Sequence, residues 1–289
     1  MRIRTLAWAL SAALAVSGGV ALVAAPNEKL VLVTVVADQS GAATGLTPAD
    51  FSVTEDKDTL QVAEAVPAND PLSVVLVVDT ARPEGTAAST PELRRALTSF
   101  IATVQQREPA ARIALYQVAN AATPVIDFTS SRADLDKGLN TIAVGNPAGS
   151  AMLEGVAAAA RRLGAMPAPR RAIVCIGIGT EEGSGYTPKE VNDHVRKSGA
   201  TLWVVSVQRA SDPSLTSRDT VWTRSTADSG GLRQNTVQAS RLDAQLTTVA
   251  NSLLSQYTLK IVRKKDGAVK ELKGQTTRGA QVLFTHWMR

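Results

Sequence analysis

Val74-Val75-Leu76-Val77-Val78-Asp79 is the stretch that decides the fold. Five apolar residues follow one another without a polar break and stop at an aspartate. A strand with one wet face alternates apolar and polar residues. An unbroken run therefore implies a strand covered on both faces, as in a parallel sheet. Ala172-Ile173-Val174-Cys175-Ile176 and Leu202-Trp203-Val204-Val205-Ser206-Val207 read much the same way, and residues 113–118 and 125–128 supply further strands.

Between these runs the apolar spacing changes from two to three and four. Leu93, Leu97, Phe100, Ile101 and Val104 mark a helix over residues 91–106, opened by Thr90, Pro91 and Glu92. Ser150 is the expected cap of a helix over 151–163. Thr187, Pro188 and Glu190 open another over 187–197, which ends at Gly199. Ser131-Arg132-Ala133-Asp134 starts a short helix, and Leu242, Leu246, Val249, Leu253 and Leu254 form one stripe of a helix over 242–256. Strands alternating with helices predict an α/β domain whose mostly parallel sheet is flanked by helices.

The flanks differ. Residues 29–37, 51–55 and 59–63 on one side, and 257–262, 269–272 and 281–287 on the other, are strand-like, with Asp266-Gly267 marking a tight turn. Neither flank is long enough to bury a core alone. Residues 26–70 and 257–289 are therefore expected to pair into one small all-β unit around an α/β domain spanning 71–256.

The first residues carry a targeting pattern. Arg2 and Arg4 precede an uncharged apolar run over 6–25, closed by Val23-Ala24-Ala25 before Pro26. That layout is a secretory signal over residues 1–25, with an uncleaved N-terminal membrane anchor as the alternative. Either way the remainder is exported, to the periplasm or the cell exterior.

With 44% hydrophobic and 20% charged residues the chain of 289 residues is globular, and at 4% aromatics its core is aliphatic. The net charge of +5 is dispersed, apart from Arg263, Lys264, Lys265 and Lys270. No helix-turn-helix, zinc-finger or aromatic-plus-basic strand signature accompanies it, so no nucleic-acid partner is expected. Cys175, the single cysteine, lies inside an apolar run and reads as core.

The order of these pieces resembles the von Willebrand factor type A family, and within it an exported bacterial subgroup common in acidobacteria. Gly45-Leu46-Thr47-Pro48-Ala49-Asp50-Phe51 and Ser52-Val53-Thr54-Glu55-Asp56 are similar to the subgroup's leader. Residues 74–80 resemble the family's first sheet strand, and Ala148-Gly149-Ser150-Ala151-Met152-Leu153 its second loop and helix. Arg170-Arg171-Ala172-Ile173-Val174 resembles the fourth strand, and Ser255-Gln256-Tyr257-Thr258-Leu259 the tail. In that family an Asp and two Ser at alternate positions, a Thr and a second Asp hold Mg²⁺ at the top of the sheet. Here Asp79 is kept, Ala81 and Pro83 stand at the serine positions, Ser150 at the threonine and Ile178 at the second aspartate. Arg82 adds a positive charge. A hard cation needs oxygen ligands, and the resemblance leaves only Asp79 and Ser150, so no bound metal is expected. The alternative is that Thr80, Glu84, Glu181 or Glu182 substitute, with waters.

Other chemistries are weaker. Gly177-Ile178-Gly179-Thr180-Glu181-Glu182-Gly183 lacks the glycine spacing of a dinucleotide loop and sets two acids where phosphates would lie. His194 and His286, the two histidines, stand apart from any nucleophile motif, and Gly183-Ser184-Gly185 is not a nucleophile elbow. The chain therefore reads as a non-catalytic protein-binding or adhesion module without cofactor, its partner a protein or cell-envelope surface. The alternatives are a structural part of an envelope assembly and a Mg²⁺-dependent adhesion protein with an altered site. Candidate binding residues are Asp79, Thr80, Arg82, Glu84, Ser150, Glu181 and Glu182, where open α/β sheets gather ligands.

Overall fold

The computed structural model describes residues 27–36, 44–81, 90–145, 149–178, 181–207, 216–264 and 271–285. The proposed signal, Arg82, Pro83, Glu84, the Asp266-Gly267 turn and His286 lie outside the described residues.

A six-stranded sheet occupies the middle of the chain. Its strands are β4 (Leu72–Asp79), β5 (Arg112–Val118), β6 (Ala122–Thr129), β7 (Arg170–Gly177), β8 (Thr201–Val207) and β9 (Arg233–Thr236), in the order β6-β5-β4-β7-β8-β9. The pairings β4–β5, β4–β7, β7–β8 and β8–β9 are parallel, and only the edge pairing β5–β6 is antiparallel. The sheet is thus mixed, with a parallel centre. Helices α1 (Thr90–Arg107), α2 (Arg132–Thr141), α3 (Met152–Gly164), α4 (Pro188–Ser198), α5 (Thr216–Ser229) and α6 (Leu242–Leu253) cover it.

Every residue of β4 is buried, which accounts for its lack of alternation. Leu72, Val74, Leu76 and Val78 pack with Leu97 and Phe100 of α1 and Leu246 and Val249 of α6. Val75 and Val77 face the other way, toward Leu153 and Val156 of α3, Val195 of α4 and Trp222 of α5. One strand therefore feeds two cores. Local signals set several helix ends. Thr187 and Glu190 form a capping box, Ser131 accepts from the Asp134 N–H, and Gly199 closes α4 in the left-handed conformation at φ 65°.

Two expectations need correction, and two elements were not anticipated. Ser150 does not cap α3: Ala151 holds that position without a side-chain bond. The helix read over 242–256 stops at Leu253, and Gln256 already pairs with Thr34 in the next strand. The helix α5 and strand β9 had no counterpart in the sequence reading.

The remaining strands, β1 (Glu28–Val35), β2 (Phe51–Glu55), β3 (Asp58–Pro67), β10 (Gln256–Val262), β11 (Leu272–Thr276) and β12 (Gln281–Phe284), form a closed barrel in the order β1-β10-β3-β2-β11-β12. Val33 opposite Phe284 closes the ring. Val31, Val33, Phe51, Val53, Leu259, Ile261 and Phe284 fill it. Inside the same structure Arg263 donates from Nε and Nη2 to the two oxygens of Glu55 at 3.0 and 2.7 Å, a bidentate pair largely out of water.

Candidate functional site

Strand β4 lies between β5 and β7, so the chain departs to opposite sides of it, and open α/β sheets bind ligands outside the carboxyl end of such a strand. Asp79 is the last residue of β4 and is wholly buried. Its Oδ1 accepts from the Ala81 N–H at 3.1 Å and its Oδ2 from the Ile178 N–H at 3.3 Å. The carboxylate thus ties the end of β4 to the residue just past β7. Burial pushes its pKa above the ordinary carboxylate range, opposed by the Arg218 charge and by these N–H donors.

Ser150 reaches the same place from the segment before α3. Its N–H donates to the Glu181 carbonyl at 2.9 Å, and its carbonyl accepts from the Gly183 N–H at 2.9 Å. A parallel bridge results between Ser150 and Glu182. The Ser150 hydroxyl faces the Asp79 carboxylate and favours its charge, without completing a hydrogen bond. Glu182 is bound on both oxygens. Oε1 accepts from the N–H groups of Leu153 and Ser184 at 3.3 and 3.2 Å, so this acid, not Ser150, serves the first turn of α3. Oε2 accepts from Arg218 Nε at 3.0 Å.

Arg218 is the residue that sequence reading missed. It stands in the first turn of α5, is wholly buried, and sets Nη1 at 3.7 Å from Asp79 Oδ2. Its guanidinium lies 5.3 Å from the centroid of the Trp222 ring, one turn further along the helix. Trp222 in turn packs on Gly177, where a Cβ would come within 2.6 Å of Cη2 of the indole. Gly177 is therefore a glycine because an aromatic ring lies against its backbone, not because a phosphate approaches it.

The other expected residues diverge. The Thr80 hydroxyl donates to the Val118 carbonyl at 3.0 Å and holds β4 to β5. Glu181 is exposed and, among the described residues, enters the cluster through its carbonyl. Ile178 is part of the apolar core, and the Ala81 methyl offers no ligand. Asp79, Ser150 and Glu182 are thus brought together, joined by Arg218.

These residues do not fit a hard dication. Two unit charges 4 Å apart interact by about 4 kcal/mol at an effective dielectric of about 20, so a dication beside the guanidinium would meet roughly twice that repulsion. Both carboxylates already have donors, and among the described residues no group of three His, Cys, Asp or Glu is placed to hold a metal ion. Cys175 is buried in the sheet, which pushes its thiol well above its ordinary range and away from nucleophilic use. His194 lies on α4 with its ring 6.2 Å from that of Tyr186.

No family model matches the sequence, and no curated protein sequence matches it. Solved structures do. A von Willebrand factor type A protein from Catenulispora acidiphila superposes with a TM-score of 0.51 at 11% identity, covering 89% of this chain and 72% of that one. The PilB minor pilin from Streptococcus sanguinis matches with a TM-score of 0.51 at 10% identity, over 66% of this chain and 63% of the pilin. The pilus adhesin SpaC from Lactobacillus rhamnosus GG matches at 0.50 and 13% identity, over 71% of this chain and 34% of the adhesin. This chain thus spans less than two thirds of the pilin and about a third of the adhesin. At such identities the likeness concerns the fold alone. The α/β part of this chain has the fold of a von Willebrand factor type A domain.

Proposed function

We propose that this chain is an exported, non-catalytic adhesion or protein-binding module that works without a bound metal. The observation that carries the reading is the closed ionic cluster at the carboxyl edge of the sheet. Asp79 and Glu182, the acids that could ligate or catalyse, are turned inward on Arg218, while Glu181 is left on the surface beside them. The likeness to a minor pilin and a pilus adhesin supports a surface-binding role. Glu181, with Arg82 and Glu84, which follow Ala81 in the sequence, is the proposed contact surface for a protein or cell-envelope partner; Asp79, Thr80, Ser150 and Glu182 hold its base.

Capture from envelope extract on the immobilised protein tests this. The same partner is expected in chelator and in divalent cation, and Glu181→Lys should weaken capture about fivefold, the weight of roughly 1 kcal/mol. Capture abolished by chelator would overturn the metal-free reading. Export is tested separately: residues 1–27 fused to a reporter active only outside the cytoplasm should give signal. A silent fusion whose protein is present in the cell would remove that claim.

A further inference from the structure

The site holds a cation of its own. We infer that the Arg218 guanidinium is a resident counter-cation for Asp79 and Glu182, joining the end of β4, the Glu182 segment and α5 at any divalent-cation concentration. Three observations carry this. The guanidinium is wholly buried between two carboxylates from separate parts of the chain, with Nε 3.0 Å from Glu182 Oε2 and Nη1 3.7 Å from Asp79 Oδ2. Its Nη1 and Nη2 make no hydrogen bond among the described residues, so charge, not a fork of hydrogen bonds, binds it to Asp79. Its orientation is fixed from below by the Trp222 ring, which needs the bare backbone of Gly177.

The pieces depend on one another. A side chain that cannot lose its proton supplies a permanent charge, whereas a metal must be drawn from solution and lost to a chelator. With Arg218 removed, the charge that repels a dication would be gone, and Asp79, Glu182 and the Ser150 hydroxyl would be left to offer it oxygen. The arginine thus masks a latent cation site. The inference concerns how the edge is held and stands apart from what the loops bind.

The test is thermal melting of the full chain in chelator and in about 5 mM MnCl₂, within the range of weak cation sites. The unmodified protein should melt at the same temperature in both. Arg218→Ala should melt lower in chelator and recover by about 3 °C or more with Mn²⁺, because a ligand bound only by the folded state raises its stability. Asp79→Asn in the Arg218→Ala background should abolish that recovery. A manganese-dependent shift in the unmodified protein, or none in folded Arg218→Ala, overturns the inference. Should Arg218→Ala not fold, the comparison moves to Arg218→Met alone and combined with Asp79→Asn and Glu182→Gln. Removing both acidic charges should restore folding or raise melting by several degrees. No gain in that triple variant would show that Arg218 acts through packing, and the counter-cation role would be wrong.

Discussion

Deleting residues 257–289 is expected to unfold the N-terminal strands together with the C-terminal ones. Every ladder partner of β1 lies in β10 or β12, and β2 and β3 keep only each other. A lone two-stranded hairpin is marginal in water. The deletion also removes Tyr257, Leu259, Ile261, Leu272, Val282 and Phe284 from the barrel core. At about 1.5–3 kcal/mol for each buried side chain, their loss matches or exceeds the roughly 5–15 kcal/mol by which a whole domain is stable. The α/β sheet, in contrast, keeps all its strand pairings. Hydrogen exchange should show protection lost over residues 31–35 and retained over 74–78. Protected amides at 31–35 in the truncated protein would mean that β1 folds without its neighbours.

The second large effect is expected at Arg170, which begins β7 and is 2% exposed. Nη1 donates to Glu108 Oε1 at 2.7 Å and to the Asp70 carbonyl at 3.3 Å. Nη2 reaches the Leu253 carbonyl at 3.1 Å, at the end of α6. Nε donates to Gln256 Oε1 at 3.3 Å, and Gln256 Nε2 continues to Thr34 Oγ1 in β1. One guanidinium therefore connects the entry to β4, the end of α1, the end of α6 and the first residue of β10. Arg170→Met keeps the apolar stem but strips these acceptors of their donor in a place water barely reaches. Breaking a buried pair from one side costs about 3–5 kcal/mol. Urea unfolding should register that loss, and Arg170→Lys should recover little of it, since a single ammonium cannot span acceptors set in several directions. A loss under about 1 kcal/mol would show that the network is not what couples barrel to sheet.

The difference between these arginines and the apolar runs marks the limit of what could be read from the chain. Strands β4, β7 and β8 were visible because burial on both faces demands unbroken aliphatic sequence, whatever the neighbours are. Helix α4 was visible because Thr187, Glu190 and Gly199 satisfy its ends within a few residues. Helix α5 was not. Its buried face consists of Arg218, Val221, Trp222, Ser225, Thr226 and Ser229, a set too polar to show an apolar stripe. Those residues are buried because distant segments supply their partners: Glu182 and Asp79 for Arg218, Gly177 for Trp222, and the Leu202 N–H for the Ser229 hydroxyl. The sequence by itself therefore determined the alternating α/β order, the buried strands and the absence of the familiar serine ligands at Ala81 and Pro83. Only the tertiary structure decided that Thr80 turns to Val118, that Glu182 serves α3, and that an arginine 139 positions beyond Asp79 supplies its counter-charge. Local patterns report which residues leave water; the pairing of buried charges depends on segments that come together only when the chain has folded.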